Sequence, residues 1–172
     1  CNLLSAYIDK NNWNIKLKEE NKSEKIITTK NVVNATYSSI NIVNEIFNLN
    51  SINVENQLAE VVLVYSDSLL SYGLTVMDGP FVSIIPYGNS GLHSLTSVLY
   101  THHNNFAKQK NYNFDKDVPE SNSKKMITQL KHYLSDKEKI YNHGSFYTIK
   151  TKLKKSHIND SRPTNIYKLT DN

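Results

Sequence analysis

The chain has 172 residues, a hydrophobic fraction of 38%, an aromatic fraction of 10% and a formal charge of +4. This length suits one domain of ordinary size that buries a core without disulfide or metal staples, and the aromatic share excludes a disordered chain. The positive excess is interleaved with Asp and Glu and forms no dense basic face, so nucleic acid is not an expected partner; the Lys152, Lys154, Lys155 cluster reads as the wet side of a strand.

In chain order, Trp13, Ile15 and Leu17 alternate with Asn14, Lys16 and Lys18, the period of a half-buried strand over Asn12 to Lys18. After a polar connection from Glu19 to Ser23, Lys25 to Thr29 resumes an extended run, and the two predict a hairpin. Val32-Val33 predicts a short strand, leading through a turn into a helix marked by Ile40, Ile42, Val43, Ile46 and Phe47. Leu58 to Tyr65, Leu74 to Met77, Phe81 to Pro86 and Leu92 to Tyr100 predict an antiparallel meander. Asn104 to Val118 shows no period. Pro119 to Ser135 carries Met126, Ile127, Leu130, Tyr133 and Leu134 at helical spacing, with Pro119 in a first-turn position, and Tyr141 to Leu153 alternates back into the sheet. The expected class is α+β, a largely antiparallel sheet with helices packed on it.

The single cysteine, at position 1, excludes an internal disulfide framework and favours a reducing compartment, the cytoplasm. No apolar run is long enough for a membrane span, and no stable membrane association is expected. A chain opening on Cys rather than Met predicts truncation or processing. A mature bacterial lipoprotein also opens on an acylated Cys, so a non-catalytic surface-binding module anchored through Cys1 is the alternative reading. With five Gly in the chain, no Gly-x-Gly-x-x-Gly follows a strand and no Walker-type loop exists. His102-His103 is the most tempting metal pair, but adjacent strand residues diverge and no His-x-x-x-His spacing is present, so no metal is expected.

Three segments carry a resemblance. Val32-Val33-Asn34-Ala35-Thr36-Tyr37-Ser38-Ser39 resembles the strand-to-turn element of flavoproteins of the D-amino-acid-oxidase-like superfamily, where the turn approaches FAD. Thr75-Val76-Met77-Asp78-Gly79-Pro80-Phe81, continuing to Gly88 and then through Gly91-Leu92-His93-Ser94-Leu95 to Tyr100-Thr101, is similar to a bacterial branch of FAD-dependent oxidoreductases. In that branch an Asp-Gly-Pro-Phe turn joins strands lining the substrate pocket, although Asp-Gly is also an ordinary hairpin turn. Asp160-Ser161-Arg162-Pro163-Thr164 resembles the superfamily's Arg-Pro strand, which runs back toward the flavin.

The resemblance implies that residues 1–172 are a substrate-side fragment, lacking the N-terminal dinucleotide-binding unit and the C-terminal FAD-binding segment. It further implies FAD as cofactor and oxidation of a small amine- or hydroxyl-bearing substrate by hydride transfer to the flavin. Asn34, Ala35, Thr36, Arg162 and Pro163 are the implied cofactor contacts. Arg162 is also the leading catalytic candidate, since a guanidinium holds a substrate carboxylate or a flavin carbonyl in fixed geometry; its alternative is a surface Arg beside a Pro. His93 and Tyr100 complete the catalytic candidates, with Tyr87 and His102 on the same strands. On a regular strand His93 and Tyr100 point opposite ways, so at most one of them meets the substrate.

Overall fold

The computed structural model describes residues 2–20, 22–106, 118–154 and 166. The architecture is α+β and mostly antiparallel. The chain divides into two compact units. The first holds the chain through Glu55 and the described residues from Thr151 onward; the second holds Asn56–Phe106 and the described part of Lys110–Lys150.

The first unit is built on a three-stranded antiparallel sheet, β1 (Asn2–Asp9), β2 (Asn12–Lys18) and β3 (Glu24–Thr29), in that order. The predicted hairpin is β2 and β3, with Trp13 opposite Thr29 and Lys18 opposite Glu24. The alternation in β2 sends Trp13 and Ile15 to one face, where Trp13, Ala6 and Phe47 form a core flanked by Leu3, Ile15, Val43, Ile46 and Leu49. Val43, Ile46 and Phe47 come from α1 (Ile40–Ile46) and its C-cap, so the helical spacing read from the sequence is the face that covers the sheet. Trp13 meets Phe47 edge to face with ring centroids 4.9 Å apart. β1 has no clean alternation of its own: its one buried residue is Ala6, and its place in the sheet comes from pairing along β2.

Val32-Val33, expected as a strand, is irregular, and Val33 is 86% exposed. Among the described residues no strand pairs with these two β-branched residues, and β-propensity without a partner decides nothing.

In the second unit the sheet has six strands. These are β4 (Val54–Ser66), β5 (Leu74–Val76), β6 (Val82–Pro86), β7 (His93–Ser97), β8 (His102–Phe106) and β9 (Ile140–Leu153). The order is β5-β6-β7-β4-β8, with β9 also paired to β4. The meander therefore holds for β5, β6 and β7, whereas β4 lies beside β7 rather than β5. The helix α2 (Ser123–Lys131) covers one face of this sheet, and Val62, Val64, Val82, Ile84, Leu95, Met126 and Leu130 are fully buried between them.

Three boundaries differ from the sequence reading. β7 ends at Ser97, and Tyr100 lies beyond it in a turn. β8 begins before the segment read as aperiodic and runs into it as far as Phe106, because two His and two Asn hide the strand's alternation. Pro119 sits before the helix rather than in its first turn, since the chain from Pro119 to Asn122 bonds to the sheet instead.

Candidate functional site

Asn34 organises the loop that enters α1. Its Nδ2 donates to the Ile40 carbonyl at 2.9 Å and to Asn44 Oδ1 at 2.7 Å. Its Oδ1 accepts from the Thr36 amide at 3.3 Å and the Thr36 hydroxyl at 2.7 Å. Asn44, itself buried, passes the chain of bonds on to the Asn50 carbonyl at 3.0 Å. The Asn34 side chain is thus committed within the first unit, while Ala35 and Thr36 stay exposed. Asn34→Ala is expected to cost the first unit about 1–3 kcal/mol, because buried polar groups on its partners lose their bonds. Urea titration followed by Trp13 fluorescence measures it.

The Asp78-Gly79-Pro80-Phe81 turn links β5 to β6. Asp78 Oδ1 accepts the Gly79 amide at 3.0 Å, and Gly79 takes φ 70°, a left-handed conformation that glycine adopts without strain. The Pro80 carbonyl accepts from Gln129 Nε2 of α2 at 2.8 Å, and Gln129 Oε1 in turn accepts the Ser97 hydroxyl at 2.5 Å. The turn is therefore clamped to the helix and, through it, to the end of β7.

His93 and Tyr100 both belong to the helix-covered side. His93 is fully buried; its Nε2 lies 3.2 Å from the Tyr72 carbonyl, while Nδ1 has no hydrogen-bond partner. Tyr100 packs against the core below α2, its carbonyl accepts from Asn122 Nδ2 at 3.0 Å, and its ring lies 6.0 Å from Lys125 Nζ. Arg162 and Pro163, like Cys1, lie outside the described residues.

The opposite face of the sheet carries a different set. Since Val62 and Val64 face α2, alternation turns Tyr65 away from it, and Tyr65 stacks on Tyr141 of β9 at 6.2 Å between centroids. The Asp67 carboxylate, by accepting a hydrogen bond from the Tyr65 phenol and by its charge, pushes that phenol's pKa up and keeps it a neutral donor. Farther along β9, Phe146 packs against Tyr87 at 5.8 Å. His102 and Lys150 share this face, Lys150 Nζ donating to His102 Nε2 at 3.4 Å.

β9 changes phase on the way. Asn142 Nδ2 donates to the Ser123 hydroxyl and Ser145 Oγ to Glu60, so both point to the helix side although three residues apart. Gly144, at φ 118°, absorbs the extra residue as a bulge would. The shift is what allows Tyr141 and Phe146 to share the open face.

On the helix side lies a group that sequence reading missed. Glu60, in the middle of β4, is fully buried and accepts four hydrogen bonds. Oε1 takes the hydroxyls of Ser121 and Ser145, the latter at 2.6 Å. Oε2 takes the Asn122 amide and His103 Nε2, each at 2.9 Å. Burial works to raise this carboxyl's pKa, but the bonds from Ser121, Ser145, the Asn122 amide and His103 outweigh it, and the result lies below the usual carboxylate range. The sequence signal was a single Glu inside the apolar run Leu58-Ala59-Glu60-Val61-Val62, where a charge stays buried only with partners.

Among the described residues no group of three or more His, Cys, Asp or Glu side chains converges as a metal site, and no helix is long and apolar enough to cross a membrane. Comparison with protein-family models, with curated proteins and with solved structures finds no match.

Proposed function

We propose that the chain is the substrate-side part of an FAD-dependent oxidoreductase of the D-amino-acid-oxidase-like superfamily, acting in the cytoplasm on a small amine- or hydroxyl-bearing substrate. The observation that carries the reading is the Asp78-Gly79-Pro80-Phe81 turn at the junction of two strands in an antiparallel sheet with a helix on one face and aromatic side chains on the other. The Asn34 and Arg162 segments, before and after it in the resemblance's order, support the same reading.

FAD, when bound, supplies the hydride acceptor. The chain's own residues have narrower tasks. Tyr65, Tyr141, Tyr87 and Phe146 give an apolar surface with phenol tips, suited to hold a small organic substrate flat and to exclude water from it. Arg162 holds a carboxylate of the substrate or a carbonyl of the flavin. Because the Asn34 side chain is used internally, contact with the cofactor at Asn34, Ala35 and Thr36 runs through exposed backbone. The phosphate-cradling glycines of such enzymes are not among these 172 residues, so on this reading they lie in another segment.

The test is expression of the whole open reading frame. A yellow protein with flavin absorbance, bleached by its substrate, is the expected product. A colourless, folded product overturns the reading.

A further inference from the structure

The two faces of the second unit's sheet are joined at Glu60. Its carboxylate bonds to His103 on β8 and to Ser145 on β9, and each of these has an open-face residue beside it in sequence: His102 next to His103, and Phe146 next to Ser145. Successive strand residues point to opposite faces, so fixing His103 and Ser145 below the sheet fixes His102 and Phe146 above it. The need is acute in β9. The bulge at Gly144 leaves the phase of the following residues open to a slip of one position, which would turn Phe146 inward and Ser145 outward.

We infer that Glu60 is a positioning residue for the open face, a buried carboxylate that sets the register of β8 and β9 and so holds Phe146 against Tyr87 and His102 beside Lys150. The inference rests on the open face being the substrate-facing one, as proposed above, for its functional meaning, but not for its test.

The groups that meet the carboxylate are His103 from β8, Ser121 and the Asn122 amide from the segment before α2, and Ser145 from β9. The Tyr147 ring backs His103 at 5.7 Å, and the Lys150–His102 pair lies across the sheet. Among the described residues bonded to Glu60, His103 is the one other ionisable side chain. A glutamine in place of Glu60 keeps the shape but loses the charge that strengthens these bonds, and its one oxygen cannot accept from all four donors.

The experiment is NMR on the full 172-residue chain, reading ring-to-ring cross-peaks between Tyr87 and Phe146 together with exchange of the Asn122 amide. In the native chain the cross-peaks should persist from neutral pH into the ordinary carboxylate range and vanish below it. In Glu60→Gln they should be weak at every pH, with Asn122 exchange faster by about tenfold or more. Native-like cross-peaks with slow Asn122 exchange in Glu60→Gln overturn the proposal, as do native cross-peaks that survive acid.

Should Glu60→Gln fail to fold, Ser145→Ala decides, since it keeps the carboxylate and removes only the link to β9. The cross-peaks should then weaken while Asn122 exchange stays slow, and unchanged cross-peaks overturn the proposal. No flavin is involved. A failure here leaves the flavoenzyme reading standing, and a colourless full-length product leaves this one standing.

Discussion

Glu60→Ala is expected to lower the stability of the second unit by about 3–5 kcal/mol, the range for removing one partner from a buried charged network. The cost does not come from the carboxylate alone. Two hydroxyls, an amide and an imidazole lose their acceptor at once, at a position with no exposure to water. Alanine also leaves a void where the side chain lay. Urea titration followed by far-UV circular dichroism measures the loss. Glu60→Leu separates the two contributions: leucine refills the volume but gives the four donors nothing to bond, so it should remain close to alanine. A leucine variant as stable as the native chain would mean that shape and not hydrogen bonding holds the site.

The same network gives stability a pH dependence of definite sign. Glu60 has a lower pKa in the folded chain than in an unfolded one, so the folded state favours its ionised form. Its contribution is complete above about pH 4.3, the ordinary value for glutamate, and is lost as the pH falls through the lower folded value. Glu60→Gln removes this dependence. The difference in stability between native and variant should therefore be largest near neutrality and shrink as the solution is acidified.

How much of this was legible beforehand depends on which kind of interaction decides each element. Where burial decides, the sequence reads well. Trp13, Ile15 and Leu17 alternate because one face of β2 meets α1, and Met126 and Leu130 recur at helical spacing because they meet β4, β6 and β7. Where polar bonds decide, the pattern misleads. Pro119 looks like a helix start, yet the helix waits until Ser123 because Ser121 and Asn122 are drawn to Glu60. Tyr100 looks like the end of a long strand. The chain turns after Ser97 instead, where the Thr101 hydroxyl accepts the Ser97 amide at 2.8 Å.

The candidate site divides in the same way. His93 attracted notice as an imidazole on a pocket strand, but its neighbours at every second position, Leu95 and Ser97, are buried with it against the helix side. Tyr141 and Phe146 are harder to assign to one face because like-facing positions of a regular strand differ by an even number, whereas these two share a face only through the bulge at Gly144. Glu60 was visible as an anomaly but not as a network. Its partners lie 43, 61, 62 and 85 residues away in the chain, and no local pattern encodes such pairings.

Trp13→Ala is expected to cost the first unit about 3–5 kcal/mol, the range for deleting a large aromatic side chain from a core. A whole domain's stability is often no more than about 5–15 kcal/mol, and this core is small. Its fully assigned members are Ala6, Trp13 and Phe47, and Trp13 touches both the sheet and, through its edge-to-face contact with Phe47, the end of α1. Few other residues could take up the loss. Ile15, Val43 and Ile46 are only half-buried, and the outer positions Tyr7, Ile26 and Ile27 are exposed already. The amides of β1, β2 and β3 should then exchange at rates near those of an open chain, a comparison that hydrogen exchange with mass spectrometry makes directly. Trp13→Phe keeps an aromatic ring against Phe47 and should retain most of the protection. If Trp13→Ala leaves β1 to β3 as protected as in the native chain, the strand pairing and not the Trp13–Phe47 core holds that sheet together.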